Sequence, residues 1–247
     1  MFTPVLQGNP IIDSSLAVFY DFGDPASYIP NFGTTVRDLS GNGASGSLVG
    51  GPVYRTDFGG CVQFDGVDDN LTYGGNMPPA FTTIVIVCPS LSSAPSTVWT
   101  NDDGGFPGYR PATNGFIDAV QNQDGLIGVL GFGGSFATVG GNSWYEISNF
   151  APLASFANCS GFSTNGTNRH RRYQNGLLKA TNTTTYTRGT SASGTINVGR
   201  DPVLTRYPAC RLVAYMFYNR ELSDVEVAQN HQYFLNRFAG KISRTAI

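Results

Sequence analysis

Short runs of apolar or alternating residues recur along the chain, separated by clusters of Gly, Asn, Asp and Pro. This spacing is typical of the short strands and tight turns of a β-sandwich. Asn-Gln-Asp-Gly at 122–125 and Asn-Gly at 175–176 are favourable hairpin turns between such runs. Strands are predicted at 16–22, 61–64, 71–73, 81–87, 115–121, 126–130, 144–147, 172–174, 195–199 and 210–218.

One helix is predicted near the C-terminus. Ser223 and Glu226 have the spacing of a capping box, and Leu222 and Val227 have that of a hydrophobic staple. The helical pattern continues to about residue 237. The pattern therefore predicts an all-β protein of two antiparallel sheets with a short helix at about 223–237. Residues 1–15 are interpreted as an N-terminal arm, and 16–247 as a single domain with a short tail.

Charge is scarce in this chain. Only 13% of the 247 residues are charged, about half the usual share for a soluble domain. The net charge is −2, and the one basic cluster, 169–172, is too short for a nucleic-acid surface. No apolar run is long enough to span a membrane, and the N-terminus lacks the features of a signal peptide. Such a composition is common in exported, lectin-like and virion proteins.

The cysteines do not form a zinc motif. No C-x-x-C pair occurs, and His170 and His231 lie far from every cysteine in sequence. The cysteines in predicted strands are expected to be small buried apolar groups, and no disulfide can be assigned. The four are Cys61, Cys88, Cys159 and Cys210, of which all but Cys159 fall in predicted strands.

Several segments of the chain resemble the laminin-G-like, concanavalin A-like lectin/glucanase superfamily, in the variant common in phage and bacterial surface proteins. They are LAVFYDFGDPASY, DLSGNGASGSLVGGPVY, GGCVQFDGVDDNLTY, FTTIVIVCPS, RYQNGLL, GTINVGRD and AYMFYNRELSDVEVAQNHQYFLNRF, which together span about 16–238. The resemblance implies a jelly-roll sandwich whose concave face or rim loops bind glycans.

The same resemblance implies a place on a virus particle. We expect a non-enzymatic phage virion surface protein, a capsid decoration or fibre component, made in the host cytoplasm. Its expected partners are the major capsid or another virion protein, further copies of itself as a homo-oligomer, and a host-surface glycan. The alternatives are a free carbohydrate-binding module or adhesin and, less favoured, a glycoside hydrolase, since one fold hosts many functions.

The segment FDGVDD, residues 64–69, places three carboxylates around one glycine. A glycosidase needs two carboxyls at a defined separation, and the E-x-D-x-E motif of the superfamily's glucanases is absent. No catalytic residue is therefore predicted. The favoured interpretation is a turn whose Asp side chains accept hydrogen bonds from backbone amides. The alternative is a calcium site formed by Asp65, Asp68 and Asp69; otherwise no cofactor is expected.

Two further sets of residues are candidates for binding. Trp99, Tyr109 and Trp144 are predicted sugar-stacking platforms, with Asn101 and Asp102 as partners for sugar hydroxyls. The alternative is that the Trp side chains serve core or edge packing. The arm carries apolar residues that predict docking to a capsid or a neighbouring copy, unless it is a frayed terminus. These are Phe2, Val5, Leu6, Ile11 and Ile12.

Overall fold

The structure is a computed structural model of the chain. It describes residues 10, 13–78, 80–89, 104–105, 108–109, 116–121, 126–132, 145–146, 154–162, 168–184, 192–200, 207 and 209–238. For parts of some strands, only the backbone is described.

Sheet A is antiparallel and contains eight strands within the described residues, in the order β15-β14-β13-β7-β17-β5-β4, with β1 paired to β17. The long strand β17 has β7 on one side, and β5 and β1 in succession on the other. The strands, numbered in chain order, are β1 Leu16–Asp21, β4 Val53–Arg55, β5 Cys61–Asp65, β7 Phe81–Pro89, β13 Ala154–Phe162, β14 Asn168–Gln174, β15 Leu177–Thr184 and β17 Ala209–Tyr218.

Sheet B is also antiparallel, with nine strands in the described part of the chain, in the order β12-β11-β10-β9-β16-β6-β3-β2, with β8 paired to β10. The strands are β2 Thr35–Val36, β3 Gly46–Val49, β6 Asn70–Met77, β8 Gly104–Gly105, β9 Gly108–Tyr109, β10 Phe116–Gln121, β11 Leu126–Phe132, β12 Tyr145–Glu146 and β16 Ala192–Val198. A 3-10 turn, Asp57–Gly59, lies between β4 and β5.

The central strands of sheet A are buried on both faces. One apolar cluster, which includes Tyr20, Phe64 and Phe217, faces the Leu71 and Ile196 side of sheet B. Because β7 and β17 contribute to both clusters, their sequences are almost continuously apolar rather than alternating. The second cluster lies on the opposite face of sheet A and includes Phe19, Ile84, Met216, Tyr218, Val227 and Phe234.

The helix α1, Asp224–Phe238, closes that second cluster. Its N-terminus is the predicted capping box: the Ser223 amide donates to Glu226 Oε2 at 2.8 Å, and the Glu226 amide donates to Ser223 Oγ at 3.4 Å. Leu222 and Val227, the predicted staple, are both buried. The predicted all-β jelly-roll sandwich of two antiparallel sheets with a C-terminal helix is confirmed.

The hairpins are also where the turn residues predict them. Strands β10 and β11 pair antiparallel around 122–125. Strands β14 and β15 pair around Asn175 and Gly176, which both have positive φ, at 52° and 76°. Such a pair of left-handed residues matches the twist of a hairpin. Cys61, Cys159 and Cys210 are buried, as expected for small apolar groups, and the side chain of Cys88 lies outside the described residues.

Candidate functional site

The outer face of sheet B carries a row of uncharged hydrogen-bonding side chains. Leu71 and Val198 point into the core, so their strand neighbours point to the opposite face. The strand register places the outward residues side by side across four strands: Thr35 pairs with Ser47, Ser47 with Thr72, and Thr72 with Asn197. We call Thr35, Ser47, Thr72 and Asn197 the polar row.

The polar row runs from exposed to buried positions. Thr35 and Ser47 are exposed, Thr72 is half-buried, and Asn197 is 8% exposed. Thr72 Oγ1 donates to the Ser47 carbonyl at 3.4 Å. Hydroxyl and amide groups both donate and accept hydrogen bonds, so the row presents both functions without a charge.

Asn70 extends the polar row at the start of β6. Its Nδ2 donates to Asn197 Oδ1 at 3.3 Å, whereas its own Oδ1 is buried and has no hydrogen-bond partner. The residue is only 1% exposed. Buried polar atoms are nearly always paired, so an unpaired amide oxygen beside Asn197 marks this end of the row as unusual.

The predicted stacking residues stand in different relations to the polar row. The backbone of Tyr109 belongs to β9, and its neighbour Gly108 pairs with Asn197, so this prediction falls on a strand next to the row. Its side chain is not described. Trp99, Asn101, Asp102 and Trp144 lie outside the described residues.

The turn after β5 brings the three predicted carboxylates together. Oxygen atoms of Asp65, Asp68 and Asp69 lie within 4.8 Å of one another. Asp65 Oδ1 accepts from the Val67 amide at 2.8 Å, and Asp69 Oδ2 accepts from the Asp65 amide at 2.9 Å. Gly66 has a φ of 86°. These hydrogen bonds are those that the turn interpretation predicts.

The electrostatics of this turn are set by Asp69. Its side chain is buried and 4% exposed. Burial raises the pKa of the Asp69 carboxyl, and the negative charges of Asp65 and Asp68 raise it further, while the hydrogen bond from the Asp65 amide acts in the opposite direction. Three carboxylates at this spacing could supply part of the oxygen shell of Ca²⁺. The calcium site remains a prediction.

The arm residues Phe2, Val5, Leu6, Ile11 and Ile12 lie outside the described residues. The chain that follows them is held by Arg220, which donates to Asp13 Oδ2 at 2.6 Å and to Ser15 Oγ at 2.9 Å. The same guanidinium donates to Glu226 at the start of α1. The base of the arm is therefore fixed beside the capping box.

The polar row was not predicted from sequence. Its signal is visible in Asn70-Leu71-Thr72-Tyr73 and in Thr195-Ile196-Asn197-Val198, where polar and apolar residues alternate. Alternation shows that one face of each strand is polar. It does not show that the two strands are neighbours.

Solved structures share this fold at low sequence identity. Domain 4 of a GH43 extracellular arabinanase from Geobacillus stearothermophilus, in complex with arabinotriose, matches with a TM-score of 0.62 and 15% identity, over 88% of this chain and 98% of that domain. The binding domain of botulinum neurotoxin DC, in complex with SialylT, matches with a TM-score of 0.63 and 14% identity, over 90% of this chain and 52% of that one.

A Trypanosoma rangeli sialidase mutant displaying trans-sialidase activity matches with a TM-score of 0.60 and 13% identity, over 91% of this chain and 33% of that one. The chain thus spans about half of the neurotoxin domain and a third of the sialidase. No family model and no curated protein matches the sequence. These likenesses show the β-sandwich fold. Among the described helical residues, none forms a helix long and apolar enough to cross a membrane.

Proposed function

We propose that this protein is a non-catalytic carbohydrate-binding protein whose ligand lies along the polar row of sheet B. The observation that carries the proposal is the placement of Ser47, Thr72 and Asn197 side by side on the outer face. Sugar hydroxyls both donate and accept hydrogen bonds, and so do these side chains. A neutral row also avoids the cost of removing water from a charge.

Two structural neighbours support a saccharide as the ligand class. The arabinanase domain is in complex with arabinotriose, and the neurotoxin DC binding domain is in complex with SialylT. The row continues to the backbone of β9, where Gly108 pairs with Asn197.

The carboxyl groups of the chain support a non-catalytic role. The polar row itself contains no acid, whereas glycoside hydrolysis uses a pair of carboxyls flanking the scissile bond. Of the chain's three glutamates, Glu221 accepts from Arg171 and Glu226 accepts from Arg220. Asp65 and Asp69 accept hydrogen bonds from backbone amides of their own turn.

We further propose that the protein is displayed on a phage particle, attached to the capsid or to copies of itself. The support is the sequence resemblance to phage surface domains and the low charge content of 13%. Mass spectrometry of purified particles from a producing host tests this part separately. The protein is expected in stoichiometric amount, and particles that lack it would exclude a virion location.

Saccharide binding is tested by screening the protein on a glycan array and titrating the best ligand by calorimetry. Thr72→Val removes the hydroxyl while keeping the side-chain shape, and we expect about a tenfold loss of affinity, the effect of one strong hydrogen bond. Thr181→Val makes the same change at an exposed position of sheet A and should leave affinity unchanged. Equal affinity of the two variants would exclude the polar row as the site.

A further inference from the structure

Arg200 is a partly buried cation without a carboxylate partner in the described chain. Its guanidinium carbon lies 5.7 Å from the centre of the Tyr207 ring, and its Nε is buried without a hydrogen-bond partner. The other partly buried arginines of the described chain are ion-paired: Arg171 with Glu221, Arg220 with Glu226, Arg237 with Asp21, and Arg211 with Asp57.

The place of Arg200 is fixed by the residue before it. Gly199 has a φ of 83°, a conformation that side chains disfavour. A Cβ at residue 199 would lie 2.5 Å from Cε2 of Phe64, a buried core residue. The backbone therefore packs directly on the core at this point, and Arg200 leaves the end of β16 in a defined position.

Arg200 lies at the same end of two strands as Asn70. Val198, the last residue of β16, pairs with Leu71, so Asn70 precedes this pair on one strand and Arg200 follows it on the other. Arg200 Nε and Asn70 Oδ1 are both buried and unpaired, so neither atom is itself a contact for a ligand. Arg200 as a residue is only partly buried, and its charge is therefore available to an acidic group of a ligand at this end of the polar row.

The structure assigns Arg200 as the group that binds the carboxylate of an acidic sugar at the end of the polar row, an inference that rests on the proposed function. A guanidinium binds a carboxylate through two parallel N–H donors. Stacking on Tyr207 restrains the side chain, so less conformational freedom is lost on binding. The negative ligand would also neutralise a cation that no described acid neutralises.

The test compares matched acidic and neutral saccharides, such as sialyllactose with lactose and oligogalacturonate with its methyl ester, by calorimetry. The unaltered protein is expected to bind the acidic member of at least one pair about tenfold more tightly. This preference should fall when the salt concentration is raised about tenfold, because salt screens charge interactions. This comparison needs no variant and is therefore independent of any folding defect.

Substitutions of Arg200 then test whether this residue causes the tighter binding of acidic saccharides. Arg200→Gln should remove the preference for acidic saccharides and leave the affinity for neutral saccharides within about twofold. Arg200→Lys keeps the charge but not the paired donors, so it should keep only part of the preference. Arg55→Gln removes an exposed arginine elsewhere and should change neither affinity. Equal binding of acidic and neutral members, or equal effects of Arg200→Gln and Arg55→Gln, would overturn the assignment while the proposed function stands. Binding of no saccharide would overturn both.

Discussion

The Tyr73 and Tyr215 hydroxyls lie 2.8 Å apart and join sheet B to sheet A through a hydrogen bond in the centre of the sandwich. Tyr73 is buried, and burial raises the pKa of its hydroxyl well above the usual value, so this hydroxyl stays protonated at ordinary pH. The two rings also pack with centroids 5.8 Å apart. A polar contact inside an apolar core fixes how the two sheets align.

Replacing both of these tyrosines by Phe is predicted to cost less than the sum of the two single replacements. Tyr73→Phe or Tyr215→Phe leaves a buried hydroxyl without this partner, at about 1–3 kcal/mol in the free energy of unfolding. The double variant removes both polar groups and should be less destabilised than the sum of the single changes. Urea denaturation of all four proteins measures this. Additive losses would show that the hydroxyls do not interact.

The Arg220 cluster is predicted to make stability depend on pH in the acid range. The hydrogen bond from Arg220 lowers the pKa of Glu226 to about 2, and that from the Ser15 hydroxyl lowers the pKa of Asp13 to about 2. Both folded-state values are below the unfolded ones. Their stabilisation is therefore complete above about pH 5 and is lost as the pH falls through about 2.

These groups are partly exposed, so their combined contribution is about 1 kcal/mol. Glu226→Gln keeps an acceptor for the helix cap but cannot titrate. We expect its free energy of unfolding to fall less between pH 5 and pH 2 than that of the unaltered protein. Arg220→Met should flatten the same curve, and parallel curves for all three proteins would contradict this account.

The Asn-Gly turn of β14–β15 is predicted to be sensitive to a single methyl group. A Cβ on residue 176 would lie 3.0 Å from His231 Cβ and 3.2 Å from Ala228 Cα on α1, and the φ of 76° adds backbone strain. Gly176→Ala should cost about 1–2 kcal/mol. Gly74→Ala in β6 has open space around its Cβ and should be close to neutral. Equal unfolding free energies for the two variants would contradict the contact between hairpin and helix.

Asp69 is predicted to stabilise the fold by accepting a hydrogen bond from the Asp65 amide, and not through its negative charge. Asp69→Ala leaves the Asp65 amide without its acceptor and should cost about 1–3 kcal/mol. Asp69→Asn keeps an acceptor and removes a buried charge. Because the folded-state pKa of Asp69 is raised, its ionisation destabilises the fold as the pH rises. The Asn variant should therefore gain stability relative to the unaltered protein between about pH 4 and pH 7.

The effect of added Ca²⁺ on the melting temperature distinguishes a structural turn from a calcium site at the same residues. With a purely structural turn, added Ca²⁺ should leave the melting temperature of the unaltered protein unchanged. A rise with Ca²⁺ that is absent in Asp69→Asn would support the calcium alternative instead, because ligands that bind only the folded state stabilise it.

The parts of the fold that were predictable depend on local signals. Ser223 and Glu226 identify the start of α1 because both partners of the capping box lie within one turn of helix. Asn175 and Gly176 identify a hairpin because few residues adopt two successive left-handed conformations. Strand β13 was not predicted, since its buried Ala157 and Cys159 are small and give only a weak alternating pattern.

The candidate site was less predictable for the opposite reason. Asn70 and Asn197 are 127 residues apart in sequence, and only the pairing of β6 with β16 brings them together. Arg200 follows a Gly whose conformation depends on packing against Phe64. Neither relationship is encoded in a short motif, whereas the three carboxylates of FDGVDD lie within six residues and can be recognised in the sequence itself.

The central claim is that a saccharide lies along the polar row, and backbone amide NMR of the labelled protein with the best array ligand tests it most directly. The account predicts concentration-dependent shifts at Ser47, Thr72 and Asn197, with the amides of Thr181 and the α1 helix unchanged. Shifts confined to sheet A or α1, or no shifts with any saccharide, would contradict it.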